Sequence, residues 1–261
     1  MSGGAVAIAV DGARLHGEWC AGPVAGRPAL VFLHDGLGSV ATWRGLPGRL
    51  GRRLGVGAFA YDRWGYGRSD GRVPFPVDFI EQEAARLADI RRIAGIADHA
   101  VVGHSDGGTI ALLYAARNPA GLKATVSVSS HVHRDPLAEA HLKRIGNHAA
   151  EGSLPAWMAR FHGDKATDVA SCWSATWLEI FAADWNIAPA LEEIAGPLLA
   201  LHGENDAHGV AEQLHSIARA VPHADARLLP GIDHFPHLED PEGTEAEIAA
   251  FLADTLDLQG G

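Results

Sequence analysis

Gly103-His104-Ser105-Asp106-Gly107 lies between an apolar run, His99-Ala100-Val101-Val102, and a run of helix formers, Thr109-Ile110-Ala111-Leu112-Leu113-Tyr114. No other stretch restricts the fold as much. A strand that turns at once into a helix puts its turning residue in a strained backbone conformation, and glycine two positions to either side leaves room for it. The strain lifts the Ser105 hydroxyl clear of the sheet, and the first N–H groups of the helix point at whatever collects there. In a chain with 31 glycines the pattern alone carries little weight. Its weight comes from the strand before and the helix after. The plain alternative is a glycine-rich turn with an incidental serine, so Ser105 needs partners elsewhere.

The rest of the chain supplies the sheet. Ala5 to Val10 and Arg14 to Trp19 alternate around Asp11-Gly12 and predict a hairpin. Ala29 to Leu33 and Gly57 to Tyr61 are continuous apolar runs, the pattern of strands buried on both faces, and Trp43 to Leu54 between them predicts a helix. Val77 to Ala94 carries one apolar stripe at helical spacing. His99 to Gly103, Ala124 to Ser129, Pro197 to Leu201 and Ala226 to Leu229 predict further strands, with helices over Asp106 to Arg117, Val210 to Ala220 and Pro241 to Leu252. From Ser130 to Gly196 the strand pattern stops. That interval is helical and contains Trp157, Trp173, Trp177 and Trp185.

Composition narrows the function. At 261 residues and 47% hydrophobic, the chain can bury a large core as one α/β domain with an insertion. A formal net charge of −11, with no dense cluster of lysine and arginine, argues against nucleic acid and anionic lipid as partners. The first eleven residues lack a basic leader, and no run approaches the roughly 20 apolar residues of a membrane helix, so a cytoplasmic protein is expected. Cys20 and Cys172 match no metal or redox spacing and are expected to be reduced.

A serine hydroxyl is a poor nucleophile at neutral pH and needs a base, which in turn needs an acid to hold its tautomer. Asp206, in Leu201-His202-Gly203-Glu204-Asn205-Asp206 after a strand, is the candidate acid, and Glu204 is its rival nearer the strand end. The candidate base is His234, in a Gly/Pro-rich loop between the last strand and the last helix. Fifteen histidines make any one of them uninformative without such a position. His237, close by, is read as a structural neighbour. The order Ser105, Asp206, His234 is that of one class of serine hydrolase.

On these motifs the chain resembles the α/β-hydrolase superfamily from about Arg27 to Leu252. The resemblance rests on His34-Asp35-Gly36, Asp62-Arg63-Trp64-Gly65-Tyr66-Gly67-Arg68-Ser69, the Ser105 pentapeptide, Gly203 to Asp206, and His234 ahead of Leu238-Glu239-Asp240-Pro241. Within the superfamily it is similar to small capped esterases and to carbon–carbon bond hydrolases of ring-cleavage products. The resemblance implies a mostly parallel central sheet with helices on both faces. It also implies a core of residues 1–130 and 197–261 with a helical cap at 131–196. It implies an oxyanion hole of the Gly36 and Asp106 N–H groups, with Leu37 as the alternative to Gly36 because the glycine falls one place late. The Asp106 side chain is read as a first-turn acid favoured by the helix dipole, and His34 as a loop-fixing hydrogen bonder.

Trp64, Trp157, Trp173, Trp177 and Phe235 are candidates to line an apolar pocket, against the plainer reading that they pack the insertion. His131-Val132-His133 could present two imidazoles on one face, but no third ligand is evident, so no metal and no cofactor are expected. The expected activity is hydrolysis of a small carboxylic ester through an acyl-enzyme on Ser105. The alternatives are carbon–carbon bond cleavage, thioesterase or perhydrolase chemistry on the same machinery, and a ligand-binding receptor without turnover. A homodimer is left open.

Overall fold

A computed structural model describes residues 4–258; residues 1–3 and 259–261, at the ends of the expected core ranges, lie outside the described residues. Alternating residues pair β1 (Ala5–Val10) antiparallel with β2 (Ala13–Ala21). Next come β3 (Ala29–Leu33), α1 (Leu46–Leu54), β4 (Gly57–Tyr61), α2 (Phe79–Ile93) and β5 (His99–His104). They are followed by α3 (Asp106–Ala115) and β6 (Leu122–Val128). Four helices then intervene, α4 (Pro136–Glu151), α5 (Ala156–His162), α6 (Ala166–Ala182) and the short α7 (Ala188–Leu191). The sheet resumes with β7 (Leu198–Gly203), α8 (Glu212–Ala220) and β8 (Asp225–Leu229), before the short α9 (Pro236–Glu239) and α10 (Pro241–Thr255).

The strands form one sheet in the order β1-β2-β4-β3-β5-β6-β7-β8, antiparallel at the β1–β2–β4 edge and parallel from β4 to β8. This is the α/β-hydrolase fold expected from the motifs. Side chains on one strand alternate between two apolar layers, as the period of two requires. Val31 and Leu33 face the layer that packs α2, α3 and α8, whereas Leu30 and Phe32 face the layer that packs α1 and α10. No described helix is long and apolar enough to cross a membrane.

The helix expected from Trp43 is broken. Val40–Trp43 is a separate 3-10 turn, and Arg44 and Gly45 both adopt positive φ, 47° and 81°, before α1 begins at Leu46. A left-handed pair cannot continue a right-handed helix. The interval between β6 and β7 adds no strand to the sheet among the described residues. Its two ends are tied together: Arg134 N–H donates to the Trp185 carbonyl at 3.0 Å and Ile187 N–H to the Val132 carbonyl at 2.8 Å.

Helix α3 meets the sheet through glycine. A Cβ on Gly107 would lie 2.0 Å from the Leu33 carbonyl oxygen, and one on Gly103 would lie 2.0 Å from that of Gly107. Neither obstacle is a side chain that could swing away. Gly107→Ala should therefore cost about 2–3 kcal/mol in unfolding free energy, read as a lower urea midpoint at unchanged slope. Gly196→Ala, with nothing within 4 Å and no positive φ, is the control and should leave stability unchanged or slightly raised.

Candidate active site

Ser105 occupies the turn from β5 to α3 with φ 54° and ψ −120°, a region that residues with a side chain seldom adopt. Its Oγ lies 3.0 Å from Nε2 of His234, on the loop after β8. The other ring nitrogen, Nδ1, lies 2.8 and 3.0 Å from the two oxygens of Asp206, on the loop after β7. A carboxylate only accepts, so Nδ1 carries the hydrogen and the lone pair of Nε2 faces the serine. Side chains 105, 206 and 234 are thus brought into one continuous hydrogen-bonded chain.

The two loops that carry His234 and Asp206 hold each other. Asp233 Oδ1 accepts from the N–H groups of Ala207 and His234, both at 2.8 Å. Gly203 lets the loops touch, since a Cβ there would lie 2.1 Å from the Asp233 carbonyl oxygen. From the other side, His104 Nε2 donates to the His234 carbonyl at 2.7 Å. Asp206 Oδ1 also accepts from the N–H groups of His208 and Gly209, at 2.8 and 3.1 Å. Glu204 is elsewhere, its Oε2 taking the Gly231 N–H at 3.0 Å on an exposed rim.

Burial by itself would raise the Asp206 carboxyl. The hydrogen bond and charge of His234, with help from His202 and the His208 N–H, outweigh it and hold the group well below the usual carboxylate range. For His234 burial wins, aided by His104 and His208 against the pull of Asp206, and the imidazole titrates well below 6.5. At neutral pH the pair is an ionised carboxylate beside a neutral base.

Gly36, Leu37 and Asp106 all line the cavity that opens beside Ser105. Neither Gly36 nor Leu37 gives its N–H to a backbone acceptor among the described residues. Their loop is fixed on two sides. His34 Nδ1 donates to the Asp35 carbonyl at 2.8 Å, and its Nε2 accepts the Arg63 N–H at 3.0 Å. His162, on α5, accepts the Gly67 N–H at Nδ1 (3.0 Å) and donates from Nε2 to the Leu37 carbonyl (2.8 Å). That clamp had no signal in the sequence, where His162 is one helical histidine among many.

The Asp106 side chain is more than a first-turn acid. It is 3% exposed, and its Oδ2 receives the Trp173 indole N–H at 2.9 Å and lies 3.5 Å from Nη2 of the fully buried Arg63. Burial raises its pKa, while Arg63 and the indole N–H groups of Trp173 and Trp177 oppose the rise.

The cavity holds about 160 Å³. Trp157, Trp173, Trp177 and Phe235 line it together with Leu142 and Phe181. Trp64 does not. Its indole N–H donates to the Gly71 carbonyl at 3.1 Å, and its ring lies under the guanidinium groups of Arg72 and Arg86, 4.6 and 5.1 Å from the ring centre. Those cation–π contacts hold it against α2, away from the site.

Three further imidazoles line the same cavity, His131, His141 and His208. The His208 ring centre is 3.9 Å from that of His141 and 4.5 Å from that of His234. Burial lowers both, His141 to about 3. Asp206, His208 and His234 offer metal-ligand atoms within 4.8 Å of one another. His234 already bonds Asp206 through Nδ1 and Ser105 through Nε2. His131 Nε2 donates to the His208 carbonyl at 2.9 Å, and His133 turns its Nδ1 to the Arg134 carbonyl at 3.0 Å.

Residues 30–247 match the profile of a family described as the Alpha/beta hydrolase family. The chain is 25% identical over 263 residues to 2-succinyl-6-hydroxy-2,4-cyclohexadiene-1-carboxylate synthase of Serratia proteamaculans, covering 88% of this chain and 95% of that protein. It is 36% identical over 136 residues to the putative carbamate hydrolase RutD of Caulobacter vibrioides, covering 52% of this chain and 47% of that one. A crystal structure from work on carboxylesterases of the thaumarchaeon Nitrososphaera gargenis superposes with a TM-score of 0.78 at 18% identity, over 97% of this chain and 99% of that chain. At that identity the likeness is one of fold.

Buried neutral imidazoles make stability depend on pH. Below 6.5 the unfolded chain binds protons that the folded chain refuses, so stability present above pH 6.5 is lost as the pH falls. Burial holds His237, behind His104, at about 2 and His99, at the start of β5, at about 4. Together they should lower the unfolding free energy by about 2.5 kcal/mol per pH unit between about pH 5.5 and 4.5. Urea titrations across that range measure it, and a midpoint unchanged from pH 7 to 5 would mean that the folded protein takes up these protons.

Proposed function

The chain belongs to the alpha/beta hydrolase family, and on that premise we propose that it is a serine hydrolase cleaving small uncharged carboxylic esters. One observation carries the reading: the unbroken chain from Ser105 Oγ through His234 to Asp206, at 3.0 and 2.8 Å. As the Ser105 oxygen bonds to the substrate carbonyl carbon, its proton passes to His234 Nε2. Asp206 stabilises the imidazolium so formed. The charge that grows on the carbonyl oxygen is met by the Asp106 N–H and by that of Gly36 or Leu37. Collapse of the adduct breaks the bond to the leaving alcohol, which takes the proton from His234. Water then repeats the sequence on the acyl-enzyme, and the free acid leaves.

The charge of the pocket supports an ester over a ring-fission dienoate. Such a substrate is a carboxylate and needs a cation to replace its lost hydration. Among the described lining residues none is lysine or arginine, while Asp35 and Asp106 are both present. The helices between β6 and β7 act in this reading as the cap, since they supply Trp157, Trp173 and Trp177 to the cavity wall.

Ser105→Ala should lower p-nitrophenyl ester turnover by about three to six powers of ten and abolish fluorophosphonate labelling. Near wild-type turnover by that variant would remove Ser105 from the role. The base must be neutral to act, and burial depresses His234, so the acid limb of kcat/KM should have its midpoint below pH 6.5. A midpoint above 6.5 would contradict the neutral pair.

A further inference from the structure

His208 lies between His234 and the helices above the sheet, its ring centre 4.5 Å from that of His234 and 3.9 Å from that of His141 on α4. One of its ring nitrogens stands within 4.8 Å of a ring nitrogen of His234. A row of imidazoles thus runs from His234 up one wall of the cavity, and the chain from Ser105 to Asp206 uses neither His208 nor His141. The tautomer of His141 is fixed. Arg144 Nη2 can only donate and lies 3.3 Å from Nδ1, so Nε2 carries the hydrogen. That N–H makes no hydrogen bond among the described residues, and neither ring nitrogen of His208 makes one. Unlike the sealed Nδ1 atoms of His104 and His237, these nitrogens keep accessible surface, and both rings line the cavity.

We infer that the alcohol released from the ester carries an uncharged oxygen, hydroxyl or ether, a short spacer away from the ester oxygen, and that His141 Nε2–H and the His208 ring bind it. The inference rests on the serine-hydrolase reading above and names the leaving-group class of that site. In that reading His234 gives its proton to the departing alcohol, which places the alcohol oxygen at Nε2 and the rest of the alcohol along the neighbouring wall. The polar groups on that wall are His208 and His141. An alkyl chain there would strip water from the imidazole nitrogens and give nothing in return. A neutral imidazole offers one N–H and one lone pair, so His208 can donate to an ether or exchange hydrogen bonds with a hydroxyl, while His141 donates. A quaternary ammonium can accept neither N–H. A carboxylate would call for imidazolium, which burial opposes at both rings. His131 keeps the row in place, its Nε2 donating to the His208 carbonyl at 2.9 Å.

The test compares the 2-hydroxyethyl, propyl and choline esters of propionic acid, followed by acid release at constant pH. They share one acyl-enzyme, so differences in kcat/KM report on the alcohol side alone. The 2-hydroxyethyl ester should exceed the propyl ester, its isostere, by about tenfold or more, with the choline ester below the propyl ester. The hydroxyethyl-to-propyl ratio should fall by about threefold or more in His141→Phe and in His208→Phe, and to about one in the double variant. Phenylalanine keeps the stacked ring and removes the nitrogens, so a purely structural role would leave the ratio unmoved. His141→Phe, on α4, serves if the His208 variant does not fold. A ratio near one in the wild type, a ratio unmoved by the substitutions, or a preference for the choline ester overturns the inference while leaving the hydrolase reading in place. Absence of turnover on every ester, with no fluorophosphonate labelling of Ser105, removes both.

Discussion

Helix α3 lies nearer to the sheet than any side chain would allow, and the candidate site is built on that contact. Gly107 rests against the end of β3 and Gly103 against Gly107, backbone on backbone. The loop that leaves β3 carries Gly36, and the turn that starts α3 carries Ser105. Their spacing is therefore set by carbonyl oxygens and glycine Cα atoms, which have no rotamers to explore. Positive φ at Ser105 is the local cost of bringing strand and helix together so abruptly.

The electrostatics follow from burial more than from formal charge. A chain of net charge −11 has, at its candidate site, imidazoles held neutral by desolvation, with Asp206 ionised among them only because N–H groups surround it. Asp106 is the second buried acid. Its partners come from two places, Arg63 after β4 and Trp173 on α6, so the polar network under the cavity joins the sheet to the helices between β6 and β7. A buried acid without such partners would be expelled or protonated.

Much of the fold was legible because each strand is short, apolar and bounded by glycine or charge; β3 and β4 run over the residues that the pattern indicated. What failed to show was whatever local pattern does not encode. The helical spacing from Trp43 took no account of Arg44 and Gly45 turning left-handed. Trp64 stands at a strand end like the other pocket candidates, and only the positions of Arg72 and Arg86 send it elsewhere. The sequence favoured Asp206 over Glu204 on loop position, and in the structure it is Asp206 that lies against His234. His162, His141 and His208 could not have been chosen, because a histidine signals nothing until its neighbours from distant segments are known.

The paired ends of the interval between β6 and β7 have a consequence for ancestry. Val132 and Arg134 are stitched to Ile187 and Trp185, so some fifty residues leave the scaffold and return to it through a neck about one hydrogen bond wide. Closing a loop depends only weakly on its length. Insertions and deletions above the neck can therefore accumulate without disturbing strand register below it. His162 and Trp173, which hold the loop after β3 and the Asp106 carboxylate, bind that freedom to the scaffold beneath.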